Sequence, residues 1–376
     1  MGDPAKEVPR VIGKGAFPWY APTGHIVFES IARPEGIWAM PLSSETLNVG
    51  EPFPVAANGL RPSVSNDGTL VYWEDRDEKP RLVEFDRRGN LLRTIGQPQV
   101  DLARPDLSPD GRRVAVWGEG RSIYLHEVDR PASRPLLIDQ HNEIQPLWDP
   151  SGNRLAFSSN REGGRRNLYA KTVDRNDPPE LLLSGPENYY ASDWSADGLH
   201  ILVTKAPGTE GSTDLWYLKL NESGQHSFKP FRTTQHSETD AAFSPDGRYV
   251  AFVSNDTGRL EVYVCSFPDC DVLQQVSVGG GMQVRWAKEG GSLYYAGAND
   301  ALVEVTIRTQ PTLSVGEVQP LFTFAGIFNP QRLSKIYDVS DDGQRFVFSS
   351  PGAKKPGIIH VWQNWAAGFR SSESNP

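Results

Sequence analysis

Residues 240–264 read DAAFSPDGRYVAFVSNDTGRLEVYV. The centre of this stretch, Ser-Pro-Asp-Gly ending at Gly247, has the chemistry of a tight turn. Proline presets its own φ, aspartate bonds nearby backbone, and glycine supplies a positive φ at no steric cost. The residues that follow, YVAFVS and then EVYVCSF, are rich in the β-branched and aromatic types that suit a pleated, buried surface. The same unit recurs along the chain. Its turns are FPWYAPTG ending at Gly24, RPSVSNDG at Gly68, RPDLSPDG at Gly111, QPLWDPSG at Gly152, ASDWSADG at Gly198, DAAFSPDG at Gly247, QVRWAKEG at Gly290 and IYDVSDDG at Gly343. Successive glycines lie 44, 43, 41, 46, 49, 43 and 53 residues apart, the period of propeller blades and of no helical repeat.

Each turn is followed by a second strand (HIVFES, TLVYWE, RVAVWG, RLAFSS, HILVTK, YVAFVS, SLYYAG, RFVFSS) and a third (GIWAMPL, RLVEFDR, SIYLHEV, NLYAKTV, DLWYLKL, EVYVCSF, ALVEVTI, IIHVWQN). Seven units add a shorter fourth strand, such as ELLLSG or KPFRTT. The eighth unit lacks one, whereas VPRVIG, Val8 to Gly13, matches the fourth-strand pattern ahead of the first turn. The expectation is an all-β chain: one closed β-propeller of eight four-stranded blades over residues 1–369, with the N-terminal strand completing the last blade and no open seam. A seven-blade ring with one irregular unit is the alternative. Residues 370–376 form a polar tail. Trp148, Trp194 and Trp286 share one repeat position, where a large side chain fills the space between adjacent sheets.

Composition narrows the partners. A net charge of -9 without a Lys/Arg-rich stripe argues against nucleic acid, which needs a clustered basic surface. No run of about 18 apolar residues is present, so membrane insertion is not expected. Met1 to Arg10 lack the apolar core of a signal peptide. Cys265 and Cys270 are the two cysteines, too few for a zinc framework. They are either a disulfide across a hairpin or two unpaired thiols.

SPDG turns followed by an (I/V)AF strand, then Ser-Asn-Arg or Ser-Asn-Asp and a Leu/Val-Tyr strand, resemble the repeat of TolB-type and tricorn-type bacterial propellers. RLAFSSNREGGRRNLYA and YVAFVSNDTGRLEVYV carry that pattern. GGGMQVRW, YDVSDDGQRFVF and IIHVWQNW are similar to propellers attached to bacterial serine/threonine kinases. The resemblance implies a propeller fold and an extracytoplasmic, periplasmic location. It implies little about activity, since propellers carry unrelated functions on one frame. Neither a kinase signature nor a Gly-x-Ser-x-Gly, His-Glu-x-x-His or phosphate-loop motif occurs.

Any site must therefore be assembled from several blades. First strands line a propeller's channel, and the loops entering them lie at one mouth. Seven residues before each turn glycine stand Arg61, Arg104, Gln145, Asp240 and Gln283; five before stand Asp106, Asp193, Arg285 and Asp338. Asp106, Asp193, Asp240 and Asp338 are the candidate ligands of a divalent cation such as calcium, with Arg61, Arg104 and Arg285 to orient an anionic group. The competing reading makes these charges structural ion pairs. Gln140-His141-Asn142-Glu143 and Gln235-His236-Ser237-Glu238 fall at identical offsets. His141, His236, Glu143 and Glu238 would bind a transition metal or supply a general base; solvated loop residues are the alternative. Tyr189 and Tyr190 offer aromatic contacts. Two functions follow: a scaffold binding a protein, peptide or small molecule at the channel mouth, or a metal-dependent hydrolase of esters, lactones or phosphotriesters.

Overall fold

The computed structural model describes residue 11 and residues 15–372, apart from 31–34, 75, 77, 100–101, 119–120, 138–140, 209–210, 222–223, 290 and 330–334. Among the described residues the strands form eight antiparallel sheets, seven of four strands and one of three. Among the described residues the helical segments are short 3-10 turns, at Ala298–Asp300 and Trp365–Ser372. The chain divides into two compact units, Met1–Glu78 with Gly352–Pro376, and Lys79–Pro351.

The first unit holds two sheets. In one, Ala16–Ala21, His25–Ser30, Gly36–Pro41 and Phe53–Ala57 pair in chain order. In the other, Leu70–Glu74 lies between Gly59–Val64 and Ile358–Trp362. Val27, Ile37, Leu70 and Trp365 are fully buried in their shared core.

The second unit holds six sheets. Five are simple meanders whose first strands are Ala103–Leu107, Glu143–Trp148, Asn188–Trp194, Glu238–Phe243 and Gly281–Trp286. The sixth sheet is assembled from both ends of the unit: Tyr337–Val339 and Arg345–Ser350, then Arg81–Asp86 and Leu91–Ile95. The six first strands neighbour one another in sequence order, and Tyr337–Val339 in turn neighbours Ala103–Leu107.

This pairing corrects the expected strand assignment. RLVEFDR was expected beside TLVYWE and IIHVWQN beside RFVFSS; each instead pairs with the other's partner, Arg345 opposite Asp86 and Ile359 opposite Trp73. The fourth place in the sheet of Tyr337–Val339 is held by Leu91–Ile95. VPRVIG itself lies outside the described residues apart from Val11. The two third strands share one apolar pattern, so pattern alone does not choose between them. Side chains do. Phe85 packs on Phe322, Phe324 and Phe348 at 5.7–5.9 Å between ring centroids. The fully buried Glu84 receives Arg93 at 2.8 Å and Arg345 at 3.1 Å. In the other sheet, His360 stacks on Tyr72 at 4.8 Å.

The turns have the expected chemistry. Gly24, Gly68, Gly111, Gly152, Gly198, Gly247 and Gly343 all have φ between 66° and 83°; Gly290 lies outside the described residues. In the Gly111 turn the Ser108 hydroxyl donates to Asp110 and accepts from the Arg113 N–H, at 2.6 and 2.9 Å. At Gly343 the Ser340 hydroxyl and the Gln344 N–H hold the Asp342 carboxyl below its usual range. Trp148, Trp194 and Trp286 are buried between sheets as expected.

Candidate functional site

The first strands of the second unit do more than meander. Between the positions seven and five residues before the turn, their pairing slips, as between Ile144 and Leu147 or Met282 and Arg285. At the slip Arg104, Gln145, Asp240 and Gln283 adopt φ between 50° and 59°. Such a bulge re-aims side chains, and here it separates two sets of charges along the unit's interior.

The first set lines a cavity of about 260 Å³ on the turn side. All six first strands reach it through Asp106, Leu147, Asp193, Ala242, Arg285 and Asp338. Its carboxylates brace the sheets. Asp338 accepts the N–H of Leu107, Asp106 that of Trp148 and Asp193 that of Phe243, each at 2.7 Å and each across to a neighbouring sheet. Arg285 Nε donates to Asp338 at 3.1 Å. Burial pushes Asp106 well up from the usual carboxylate range, and the charge of Asp338 adds to it. Burial raises Asp193 to about 6. Asp338 is also raised by burial, with Arg285 opposing.

The second set lines a cavity of about 360 Å³ on the opposite side of Arg285, bounded by Arg104, Gln145, Arg166, Tyr190, Thr213, Asp240 and Lys335 among others. With its amide oxygen turned toward Arg104, Gln145 accepts from both terminal guanidinium nitrogens at 2.8 and 3.2 Å. Removal from bulk water lowers the Arg104 guanidinium to about 10, against the pull of Asp240. Asp240 accepts the Gln283 N–H at 3.3 Å and is raised by burial, with Arg104 and Arg285 opposing. Asp240 thus belongs with the arginines rather than with the other three aspartates.

The remaining candidates are dispersed. Arg61 lies in the first unit, exposed, its backbone N–H donating to Glu29 at 2.7 Å. Glu143 is buried, accepting from Arg161 at 3.1 Å and Ser159 at 3.4 Å. Glu238 is likewise buried, accepting from the Thr234 hydroxyl at 2.5 Å. Both glutamates open a first strand and are buried, whereas His141 is exposed and His236 half-exposed. Neither histidine lines either cavity; Gln140 lies outside the described residues. Tyr189 and Tyr190 alternate across one strand: Tyr189 is buried against Phe228, whereas Tyr190 faces the larger cavity. Among the described residues, no group of three or more His, Cys, Asp or Glu is placed to hold a metal. Cys265 and Cys270 form a disulfide with Cα atoms 5.1 Å apart.

Lys335 escaped the sequence reading. It stands eight residues before its turn glycine, as do Ile144, Tyr190 and Thr239, and all four line the larger cavity. The repeat position one step earlier than those considered was the available signal.

The fold is that of TolB-type β-propeller proteins. The putative TolB of Agrobacterium tumefaciens superposes with a TM-score of 0.57 at 18% identity, over 76% of this chain and 99% of that one. Hydrazine synthase of Kuenenia stuttgartiensis gives 0.53 at 13% identity, over 81% and 94%. These likenesses concern the fold alone. In sequence, the uncharacterized peptidase YuxL of Bacillus subtilis is 27% identical over 42% of this chain and 30% of its own length. The Tol-Pal system protein TolB of Nitratidesulfovibrio vulgaris is 29% identical over 28% of this chain and 24% of its own. The matches thus span less than a third of either curated relative. No family model matches the chain. Among the described residues, no helix is long and apolar enough to cross a membrane.

Proposed function

We propose that this chain is a TolB-like binding propeller that takes its ligand, a segment of a protein or peptide or a small molecule, into the cavity bounded by Arg104, Arg166, Tyr190 and Lys335. The observation that carries this reading is the chemistry of that cavity. At about 360 Å³ it is a concave space on which several charged and polar side chains converge beside Trp117, Ile144 and Tyr190, and convergent polar groups in a concave site are what fix a ligand's orientation. Its walls come from several sheets, so a rigid frame holds them. The return of the first-strand order to its start supports a closed ring of six blades around it. The Cys265–Cys270 disulfide supports an extracytoplasmic location, where such bonds persist.

The hydrolase reading is less favoured. Asp106, Asp193 and Asp338 each already accept a backbone N–H, and the histidines that would activate water line neither cavity.

The test uses an array of random heptapeptides and the double variant Tyr190→Ala/Arg166→Ala. Peptides retained by the wild type should bind the variant at least about ten-fold more weakly, about 1.4 kcal/mol, while its melting temperature stays nearly unchanged. Equal retention on both proteins would place the site elsewhere.

A further inference from the structure

Resting on the cavity reading above, we infer that the cavity is a receptor for an organic anion, its carboxylate or phosphoryl group held between Lys335 and the outer edge of Arg285.

Lys335 is only 6% exposed, yet among the described residues no hydrogen bond or ion pair engages its ammonium. A cation held largely away from water without a counter-charge is costly, which favours an anionic occupant beside it. Lys335 borders both cavities. Its place is fixed through the backbone, where its carbonyl accepts the Arg104 N–H at 2.8 Å.

Arg285 reports the same deficit independently. Its Nε is engaged by Asp338 at 3.1 Å and its Nη1 by the Val284 carbonyl at 2.6 Å. Its Nη2 is buried with no partner. Two of the guanidinium's three nitrogens are therefore held by the protein, and the third is left without a partner.

The charge balance of the walls points the same way. The larger cavity is bounded by Arg104, Arg166, Arg285 and Lys335 against the single carboxylate Asp240. The turn-side cavity has the opposite character, with Asp106, Asp149, Asp193, Asp338 and Asp341 against Arg285, Lys288 and Lys335. Anions are thus drawn to one mouth and repelled at the other. A lone inorganic anion would leave most of the volume unfilled. Trp117, Ile144 and Tyr190 on the same walls suit an aromatic or aliphatic body attached to the charge. Carboxylate and phosphoryl groups share the required chemistry, since both accept from a guanidinium edge and an ammonium.

The experiment is calorimetric titration of the full chain with hippurate, phenyl phosphate and the neutral hippuramide. Binding by one or both anions, at least ten-fold tighter than by hippuramide and weakened by added salt, is the expected result; the tighter anion identifies the preferred head group. Lys335→Met keeps the buried stem and removes the charge, so it should lose at least ten-fold in affinity for the anions and nothing for hippuramide, and Lys335→Arg should restore part of it. Equal binding of acid and amide, or Lys335→Met binding like the wild type, overturns the anion site while leaving the cavity a binding site. Binding of none of the three overturns it too, and the cavity reading then stands or falls separately on the heptapeptide array.

Discussion

Gly247 isolates the conformational demand of the repeat turn. Its φ is 68°, and a Cβ added there would meet nothing within 4 Å. Gly247→Ala should therefore lower stability only by the left-handed backbone penalty, about 1–2 kcal/mol, and Gly247→Asn by less; chemical denaturation measures both. His126 makes a sharper case. It is fully buried and neither ring nitrogen has a partner; burial lowers it from 6.5 to about 4. The unfolded chain binds a proton between those values and the folded chain does not, so stability is lost as pH falls from 6.5 towards 4. At pH 5 the loss is roughly 2 kcal/mol. Asp193 acts with the opposite sign. Its pKa is raised from 3.8 to about 6, so its contribution falls as pH rises through that window. The net profile of the wild type mixes the two, and the difference between wild type and His126→Leu isolates one. From pH 7 to pH 5 the wild type should lose stability relative to the variant, and a pH-independent difference between the two melting curves would refute the assignment. At this scale the turns were legible, because Asp-Gly chemistry is local. The buried Lys335 was not, because nothing local in Leu-Ser-Lys-Ile-Tyr distinguishes a channel lysine from a solvated one.

Strands were legible one at a time and ambiguous in their partners. The repeat predicts each second and third strand correctly as a segment, since alternation and β-branched content belong to the segment itself. It misassigns RLVEFDR and IIHVWQN because an antiparallel neighbour is chosen by contacts far apart in sequence, here Glu84 with Arg345 and Phe85 with Phe348. Arg81 lies opposite Ser350, and directly opposed residues of an antiparallel pair sit about 4.5–5.5 Å apart at Cα, within disulfide reach. Arg81→Cys with Ser350→Cys should thus crosslink on mild oxidation, read by mass spectrometry of the digest; two free thiols after oxidation would return the strands to the hairpin order of the repeat. The aspartate braces are also an element-scale device. Asp193→Asn keeps an oxygen to accept the Phe243 N–H and relieves a desolvated charge, so it should be nearly neutral or mildly stabilising at pH 7. Asp193→Ala leaves that N–H without a partner and should cost about 1–3 kcal/mol. Equal losses in the two variants would show that the charge, and not the hydrogen bond, holds the sheets.

For the whole molecule, the two ways of counting sheets make different physical demands. In a single ring of eight, every sheet leans on two neighbours, and removing two sheets would leave open faces and unpaired strand edges that invite aggregation. The pairing in the structure asks for something else. Residues 79–351 carry both Arg81–Asp86 and Arg345–Ser350 in one sheet, so the ends of this segment are joined by hydrogen bonds without help from the rest of the chain. Its first strands follow one another and return to the start, and all the described residues that line both charged cavities lie within it. A fragment of residues 79–351 should then fold alone, melt cooperatively, and bind hippurate or phenyl phosphate as the full chain does. A fragment that aggregates or melts without a transition would mean that residues outside it complete the structure, and would favour the single ring that the repeat count by itself implies.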